Sequence, residues 1–538
     1  MRPTFAIGLV VSWPRVTAAF LTGVVVLWLG SRVGGPVAAW AALTALLAAS
    51  VVVTWRQVPV GDLLARNVAP VRWRSRGGDP AERTDEHALR WSGVAGAVRW
   101  EGDEVVAAVV LDGPSHALAV LDKRRVQTSA TVSVALLAGL LRQFDVRLAG
   151  IDLHSVGARR ALDGHHPHAT TYSTRVGDYP AVGVRRSWCA LRFDVRDNLS
   201  ALLCRDSVAA MVVACAQRAA ETLTAAGCPA RVATVADLDR IDATLAGGWA
   251  ADTSRVRWGG VSIPGAEVTS YWVSPHDIST ETLDRVWAPD AERTATTLQL
   301  RPGPLGRTQV GALVRYSTAG PLHEPPITGL NPLSSRHEDA IRAGLATAAT
   351  PALRVPHRDL GNEDEALRVP ISSTGIIVGA TSSGHPVLLN LTPARDGATA
   401  RVTVAGELAL LVQIALRSAA IGYRVLVVSE RPAAWHTSIA AGLRVVTAEV
   451  PMGKLPDDGH GIMVIYDDEA APLSASPHAA VVVHAVPRRG ASLADVHIEQ
   501  ESSTSAAIRT AETQFRARID LVAERNMVNP PAAARHAS

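Results

Sequence analysis

The run Gly379-Ala-Thr-Ser-Ser-Gly384-His385-Pro386 has the glycine spacing of a phosphate-binding loop. Such a loop needs a lysine on the β- and γ-phosphates and a Ser or Thr hydroxyl on Mg²⁺. Here His385 stands in the lysine position and Pro386 in the hydroxyl position, and proline has no N–H to offer a phosphate. Val387 to Leu391 reads as a strand, so no helix N-terminus would face an anion. A β-hairpin turn is the better reading. A second arrangement lies further on. Val402-Thr-Val-Ala-Gly406 is a strand ending in glycine, with a helix pattern directly after it. Ile462-Met-Val-Ile-Tyr466-Asp467-Asp468-Glu469 has the apolar run and acidic end of a metal-holding strand in nucleotide hydrolases. Yet Gly406-Glu407-Leu408 has no Gly-Lys-Ser/Thr, and Glu407 would repel a phosphate. Lys454 follows Gly453, but Leu455 comes next and Ala448 holds the first-glycine position. The pattern is a nucleotide-binding-like topology without its site, and Asp467 and Asp468 read as a solvated strand end.

Other candidates fail for want of partners. His165, His166 and His168 surround Pro167 in a Gly/Pro-rich stretch with no cysteine ligand beside them, which reads as a loop. His337-Glu338 lacks the second histidine of H-E-x-x-H, because Ile341 sits there. Asp237-Leu-Asp239 reads as a pair of helix-start acids. Cys189, Cys204, Cys215 and Cys228 have no CxxC spacing, and Cys215 falls on the apolar face of a helix pattern. No residue is assigned a catalytic, cofactor-binding or metal-binding role, and no cofactor is expected.

Composition sharpens this. Of 53 Lys plus Arg, only Lys123 and Lys454 are lysines, so a phosphate-cradling or Schiff-base lysine must be one of those two. A net charge of +3 over 538 residues gives no broad footprint for nucleic acid.

The elements that would position these residues alternate between strand and helix. Ala97 to Glu101 and Glu104 to Leu111 flank Gly102-Asp103 as a hairpin. Thr131 to Phe144, with Val134, Leu137, Leu141 and Phe144 apolar, predicts an amphipathic helix. Val146 to Leu153 follows as a strand, and residues 157 to 183 read as a loop. Trp188 to Val195 is a strand. Asp206 or Ser207 caps a helix whose face is Val208, Val212, Cys215, Ala219 and Leu223, with Gly227 at its stop. Residues 253 to 318 turn β-rich. Arg401–Ala405, Leu408–Ile421 and Arg424–Ser429 form a compact β–α–β signal, which favours parallel α/β.

The N-terminus is of another kind. Val16 to Ser31 carries no charge, and after Arg32 neither does Val33 to Trp55, for 23 residues. At about 1.5 Å per residue the second stretch is long enough for a roughly 30 Å hydrocarbon core. The two stretches predict a transmembrane hairpin. Arg2 and Arg15 flank the first stretch, and Arg56, Arg66, Arg72, Arg74 and Arg76 follow the second. Only Arg32 marks the turn, so the positive-inside rule places both termini in the cytoplasm.

With this organisation, Arg186-Ser-Trp188-Cys-Ala-Leu-Arg192-Phe-Asp-Val, Asn198 to Arg205, Leu223-Thr-Ala-Ala-Gly227 and Ala230 to Val235 resemble the EccE family. Thr294-Ala-Thr-Thr-Leu-Gln-Leu300 and Val310-Gly-Ala-Leu-Val-Arg315-Tyr-Ser-Thr318 are similar too. EccE is a membrane component of the mycobacterial type VII (ESX) secretion system. The likeness covers most of residues 1–350 and carries no catalytic residue. It implies a peripheral scaffold subunit of the plasma membrane beside EccB, EccC and EccD, with EccC supplying ATP hydrolysis. The expected fold is an α/β (α+β) cytosolic part behind a two-helix hairpin. Its divisions are 1–56 (hairpin), 57–92 (juxtamembrane linker), 93–355 (α+β domain), 356–528 (degenerate nucleotide-binding-like α/β domain) and 529–538 (disordered tail). Two readings of function follow: a non-catalytic structural subunit supporting assembly and export, or a membrane-anchored enzyme using a nucleotide or sugar nucleotide.

Overall fold

Valine-rich runs alternate with short polar turns along most of the chain, and the runs pair into two large sheets. The computed structural model describes residues 7–9, 13–34, 36–55, 58–59, 83–161, 167–346, 353, 355–393, 398–440, 443–447, 461–467, 479–487 and 494–528. The expected tail 529–538 lies outside these residues, as do Arg56, Arg66, Arg72, Arg74 and Arg76.

The first sheet is antiparallel. From one edge its main path runs Arg255–Val256, Val261–Ile263, Ala266–Val273, Thr308–Thr318, Arg293–Pro302, Gly150–Ala158, Val184–Asp194, Glu104–Leu111, Ala95–Glu101 and Arg83–Ala88. The hairpin at Gly102 forms as expected, with Gly102 at φ +61°, where a missing Cβ removes the strain. Arg83–Ala88 is the edge strand, inside the segment read from sequence as linker. On one face lies helix Val208–Ala225, capped by the Ser207 hydroxyl accepting from the Ala210 amide. Its Val212, Cys215, Ala219 and Leu223 are buried as the periodicity predicts.

The second sheet mixes directions. Six strands run parallel in the order Arg444–Val446, Arg424–Val428, Ile462–Tyr466, Val481–Ala485, Ala400–Ala405 and Val496–Ser502. The order continues antiparallel through Ser505–Thr510, Gln514–Arg518, Ile376–Ala380 and Pro386–Leu389. It ends on Leu118–Asp122 and Arg125–Thr128, a hairpin contributed from far upstream, with Val120 opposite Val387. The central parallel strands Ile462–Tyr466 and Val481–Ala485 are nearly continuous apolar runs, buried along most of their length, as in strands covered on both faces.

Two local readings are corrected. Thr131 to Phe144 is not one helix. Thr131–Ser133 is a strand, Val134–Gly139 a short helix capped by Ser133, and Arg142–Gln143 a strand again. Residues 157–183 are not a loop throughout, because Pro167–Val176 is a helix packed on helix Leu408–Ile421. Pro167 suits a first helical position, and Ala169, Tyr172 and Val176 are the buried face.

At the N-terminus, helices Trp13–Val33 and Val37–Val52 pack antiparallel. Gly23 lies against Thr44 and Gly30 against the Trp40 ring, where any Cβ would come within 2.9 and 2.6 Å. The uncharged stretch Val33–Trp55 does not make one helix, since Val53–Trp55 turns into a strand paired with Ile7–Leu9. Among the described residues no helix is long and apolar enough to cross a membrane.

Candidate functional site

In an open α/β sheet, ligands bind outside the carboxyl ends of the parallel strands. That edge here is built by Gly406-Glu407, Ser429, Asp467 and Gln500. Strand Ala400–Ala405 delivers the chain to Gly406, and helix Leu408–Ile421 begins two residues later. The helix is buried along almost its whole length, which fixes its N-terminus against the sheet.

The first turn of that helix is where a phosphate would sit in a nucleotide-binding protein. The protein fills the place with its own charges. The Glu407 amide donates to Gln500 Oε1 at 2.9 Å, and Gln500 Nε2 donates back to Glu407 Oε1 at 2.8 Å. Arg525, on helix Val522–Val528, closes on the same carboxylate, Nη2 to Oε1 at 2.6 Å. Gly406 is tight as well, since a Cβ would lie 2.8 Å from Gln500 Oε1. The repulsion expected of Glu407 thus has a geometric counterpart: a carboxylate, paired within the chain, stands where an anion would bind.

Asp467 is not a solvated strand end. Its side chain is fully buried and accepts from Ser429 Oγ (2.9 Å), Arg431 Nε (3.0 Å) and Nη2 (2.6 Å), and Trp435 Nε1 (2.8 Å). It therefore clamps the turn after Arg424–Val428 onto the sheet and has little capacity left for a metal. Sequence reading missed this because all three donors come from residues 429–435, a stretch with no motif. Asp468, Glu469 and Lys454 lie outside the described residues.

The glycine-spaced run is the turn between Ile376–Ala380 and Pro386–Leu389. Thr381 N and Gly384 N are bonded within the turn, to His385 O (2.8 Å) and Thr381 O (3.0 Å), so neither amide points at a ligand. Lys123 sits at φ +47° in the tight turn of the upstream hairpin, far in role from any phosphate loop.

His337 and Asp237 are engaged in contacts within the fold. His337 is buried, and its Nδ1 accepts the Ser270 amide at 3.0 Å. Burial pushes it down to about 4. Asp237 closes a capping box with Thr234 and pairs with Arg231 (2.5 Å) and Arg240 (2.8 Å), the helix-start role read from sequence. His165 and His166 lie outside the described residues, and His168 is on helix Pro167–Val176. The four cysteines are free, with Cys204 exposed and the others buried. Among the described residues no group of three or more His, Cys, Asp or Glu is placed to hold a metal.

One buried charge network was not anticipated. Asp152, on a central strand of the first sheet, pairs with Arg192 at 2.5 Å and Arg301 at 2.6 Å. Burial alone would raise its pKa, but Arg301 and Arg192 hold it below the carboxylate range. His154, two residues on, bonds Thr297 Oγ1 at 3.0 Å and is pushed down to about 4 by burial. Asp152 and His154 are fully buried in the sheet, while Arg301 reaches partly to solvent.

A cavity of about 60 Å³ lies where the two sheets meet, lined by Asp112, Ser115, Arg186, Trp188, Ser372 and Asn390 among others. Small-molecule sites run to roughly 300–1,000 Å³, so this one suits a few waters.

The sequence model of the family described as the type VII ESX secretion system translocon EccE matches residues 181–273. Those residues span the strand Val184–Asp194, helix Val208–Ala225 and strand Ala266–Val273 of the first sheet. The ESX-5 secretion system protein EccE5 of Mycobacterium marinum is 34% identical over 298 residues, 54% of this chain and 74% of its own. EccE5 of Mycobacterium tuberculosis is 30% identical over 408 residues, covering 71% of this chain and 99% of the relative. The ESX-2 secretion system protein EccE2 of Mycobacterium tuberculosis is 28% identical over 378 residues, 70% of this chain and 68% of its own. With a relative at that identity matched along nearly its full length, the chain belongs to the EccE family and is a component of a type VII ESX secretion system.

Proposed function

We propose that the chain is a non-catalytic structural subunit of an ESX membrane complex. It is held in the plasma membrane by the N-terminal helix pair, with both termini cytoplasmic, and it supports complex stability and protein export beside EccB, EccC and EccD. The observation that carries this is the outer surface of the helix pair. Phe20, Leu21, Val24, Val25, Trp28 and Leu46 are exposed, several by more than half. A continuous apolar surface of this kind is covered by lipid or by other helices.

Geometry supports the topology. Ile7–Leu9 and Val53–Trp55 pair in register at the base of the hairpin, so the chain enters and leaves on one side. Arg32 lies at the opposite end, its guanidinium 5.5 Å from the Trp28 ring centroid. Helix Val37–Val52 rises roughly 24 Å, short of a roughly 30 Å core. Local thinning or contact with partner helices accommodates such a mismatch.

The enzyme reading has less support. Glu407 and Arg525 stand in the phosphate position, and Asp467 is engaged in holding a turn.

The test is purification of the tagged full chain in mild detergent, with identification of the proteins that come with it. Other subunits of one ESX system should co-purify, and reporters fused after Met1 and after Arg76 should both read cytoplasmic. A periplasmic signal after Arg76 would remove the hairpin, and purification of the chain alone would remove the complex.

A further inference from the structure

The short hairpin Arg142–Gln143/Val146–Arg147 breaks three local rules at once. Phe144, at its tip, is 77% exposed, although the sequence spacing places it on a core face. Its backbone is left-handed, φ +58°, a region that a bulky L-residue avoids. Arg142 and Arg147 are direct cross-strand partners, exposed, and neither makes an ion pair among the described residues. Like charges opposite one another destabilise a strand pair.

The tip is nonetheless held firmly. Gln143 is buried and donates to Cys215 O at 3.3 Å, anchoring the hairpin to helix Val208–Ala225. Arg218 of that helix lies 4.6 Å from the Phe144 ring centroid. Asp145 takes a two-pronged bond from Arg205, 2.6 and 2.7 Å. Asn198 accepts from Arg147 N at 2.8 Å and donates to Arg147 O at 2.9 Å. These bonds set the tip beside the turn that follows Asn198, where Leu199 and Leu203 are 60% and 87% exposed. Features that cost folding energy and persist in a rigid frame mark functional surface.

We propose that Phe144, Leu199 and Leu203 form a docking knuckle for another protein subunit. The partner presents an apolar pocket for Phe144 with carboxylates beside it for Arg142 and Arg147. Charge selects a protein over a lipid surface. Asp145 is taken up by Arg205, but Asp197 and Asp206 are exposed around the same apolar tip as Arg142 and Arg147, so a uniformly anionic headgroup layer would meet both signs. A protein surface places its acids opposite the two arginines and leaves Asp197 and Asp206 in solvent. The inference rests on the complex-subunit reading above.

The test uses the full chain in its membrane complex, with a photo-reactive phenylalanine analogue at position 144. Light should give an adduct with one protein, mapping to a segment that contains Asp or Glu. Phe144→Ser with Leu203→Ser should lower recovery of that protein by about tenfold, the effect of losing a central aromatic anchor. Arg142→Glu with Arg147→Glu should do the same, while Arg142→Lys with Arg147→Lys retains most of it. The thermal midpoint of each variant checks that the fold survives, and the charge variants lie wholly on the surface. Lipid-only adducts, self-adducts, no adduct, or unchanged recovery in both losing variants would overturn the knuckle. If wild-type protein brings down no subunit at all, the complex-subunit reading falls with it. If partners come down equally from every variant, only the knuckle falls.

Discussion

Arg525 closes on Glu407 at the first turn of helix Leu408–Ile421, its Nη2 2.6 Å from Oε1. One residue near the C-terminus thus neutralises a carboxylate that lies where the fold would otherwise receive an anion. Both side chains remain about one-third exposed, so water and salt screen the pair and its worth to stability is small. Mg²⁺-ATP and Mg²⁺-ADP should leave the thermal midpoint of the wild-type chain unchanged. Glu407→Gln should not create binding either, because among the described residues no lysine reaches the turn. Arg525→Ala should produce a small loss that fades at high salt. A midpoint that rises with Mg²⁺-ATP in the wild type would reinstate a nucleotide site.

Asp467 belongs to a different class of carboxylate. Trp435 is fully buried and its Nε1–H has Asp467 as partner, as does the buried Ser429 hydroxyl. Removing an acceptor orphans buried donors at about 1–3 kcal/mol each. Asp467→Ala should therefore lower unfolding free energy by about 3 kcal/mol in a urea titration. Arg431 softens the loss, since its exposed guanidinium can turn to water. A change below about 0.5 kcal/mol, the usual size for surface substitutions, would mean that the aspartate is solvated after all.

Gly375 and Gly384 separate backbone strain from crowding. Both are left-handed, at φ +76° and +89°. A Cβ at Gly384 meets nothing, whereas at Gly375 it would lie 1.9 Å from Leu389 O, a backbone atom that cannot step aside. Gly384→Ala should lose about 1 kcal/mol, the price of the left-handed backbone alone. Gly375→Ala should lose several times more, or fail to accumulate folded. Equal effects from the two would show that the approach of Leu389 is looser than described.

Much of the local structure was legible in the residues. The Gly102 turn, the Ser207 cap and Asp237 as a helix-start acid each depend on neighbours in sequence, and each is found. The Gly379–Gly384 turn and the parallel character of Ala400–Ala405 were legible for the same reason. What escaped depends on distant partners. Val134, Leu137, Leu141 and Phe144 fit one helical face, yet Gln143 is pulled to Cys215 O and the chain reverses at Phe144. Asp467 looks like any strand-end acid until Trp435 and Arg431 arrive. Leu118–Asp122 reads as part of the first domain, but its strand partner is Pro386–Leu389. No periodicity in a window of a dozen residues carries that pairing.

Buried histidines set the response to pH. Burial pushes His154 and His337 down to about 4, and it also lowers His116, His357, His484 and His497. An unfolded histidine takes a proton near 6.5, so the unfolded chain binds more protons below that pH. Stability from these groups is fully present above about 6.5 and is lost as pH falls toward 4. Asp284 opposes them. Burial raises it to about 6, so the folded chain takes up its proton first, and acid relieves that penalty between about 6 and 4. At about 1.4 kcal/mol per unit, His154 or His337 alone roughly cancels Asp284, and the other histidines leave a net loss. Unfolding free energy from urea titrations should therefore drop by a few kcal/mol between pH 6.5 and 4.5. His337→Gln, whose amide oxygen can still accept the Ser270 N–H, should flatten that slope while remaining folded at pH 7.5. A wild-type profile that is level or rises toward acid would mean that Asp284 dominates. An unchanged slope in the variant would mean that His337 titrates in the folded chain as it does in water.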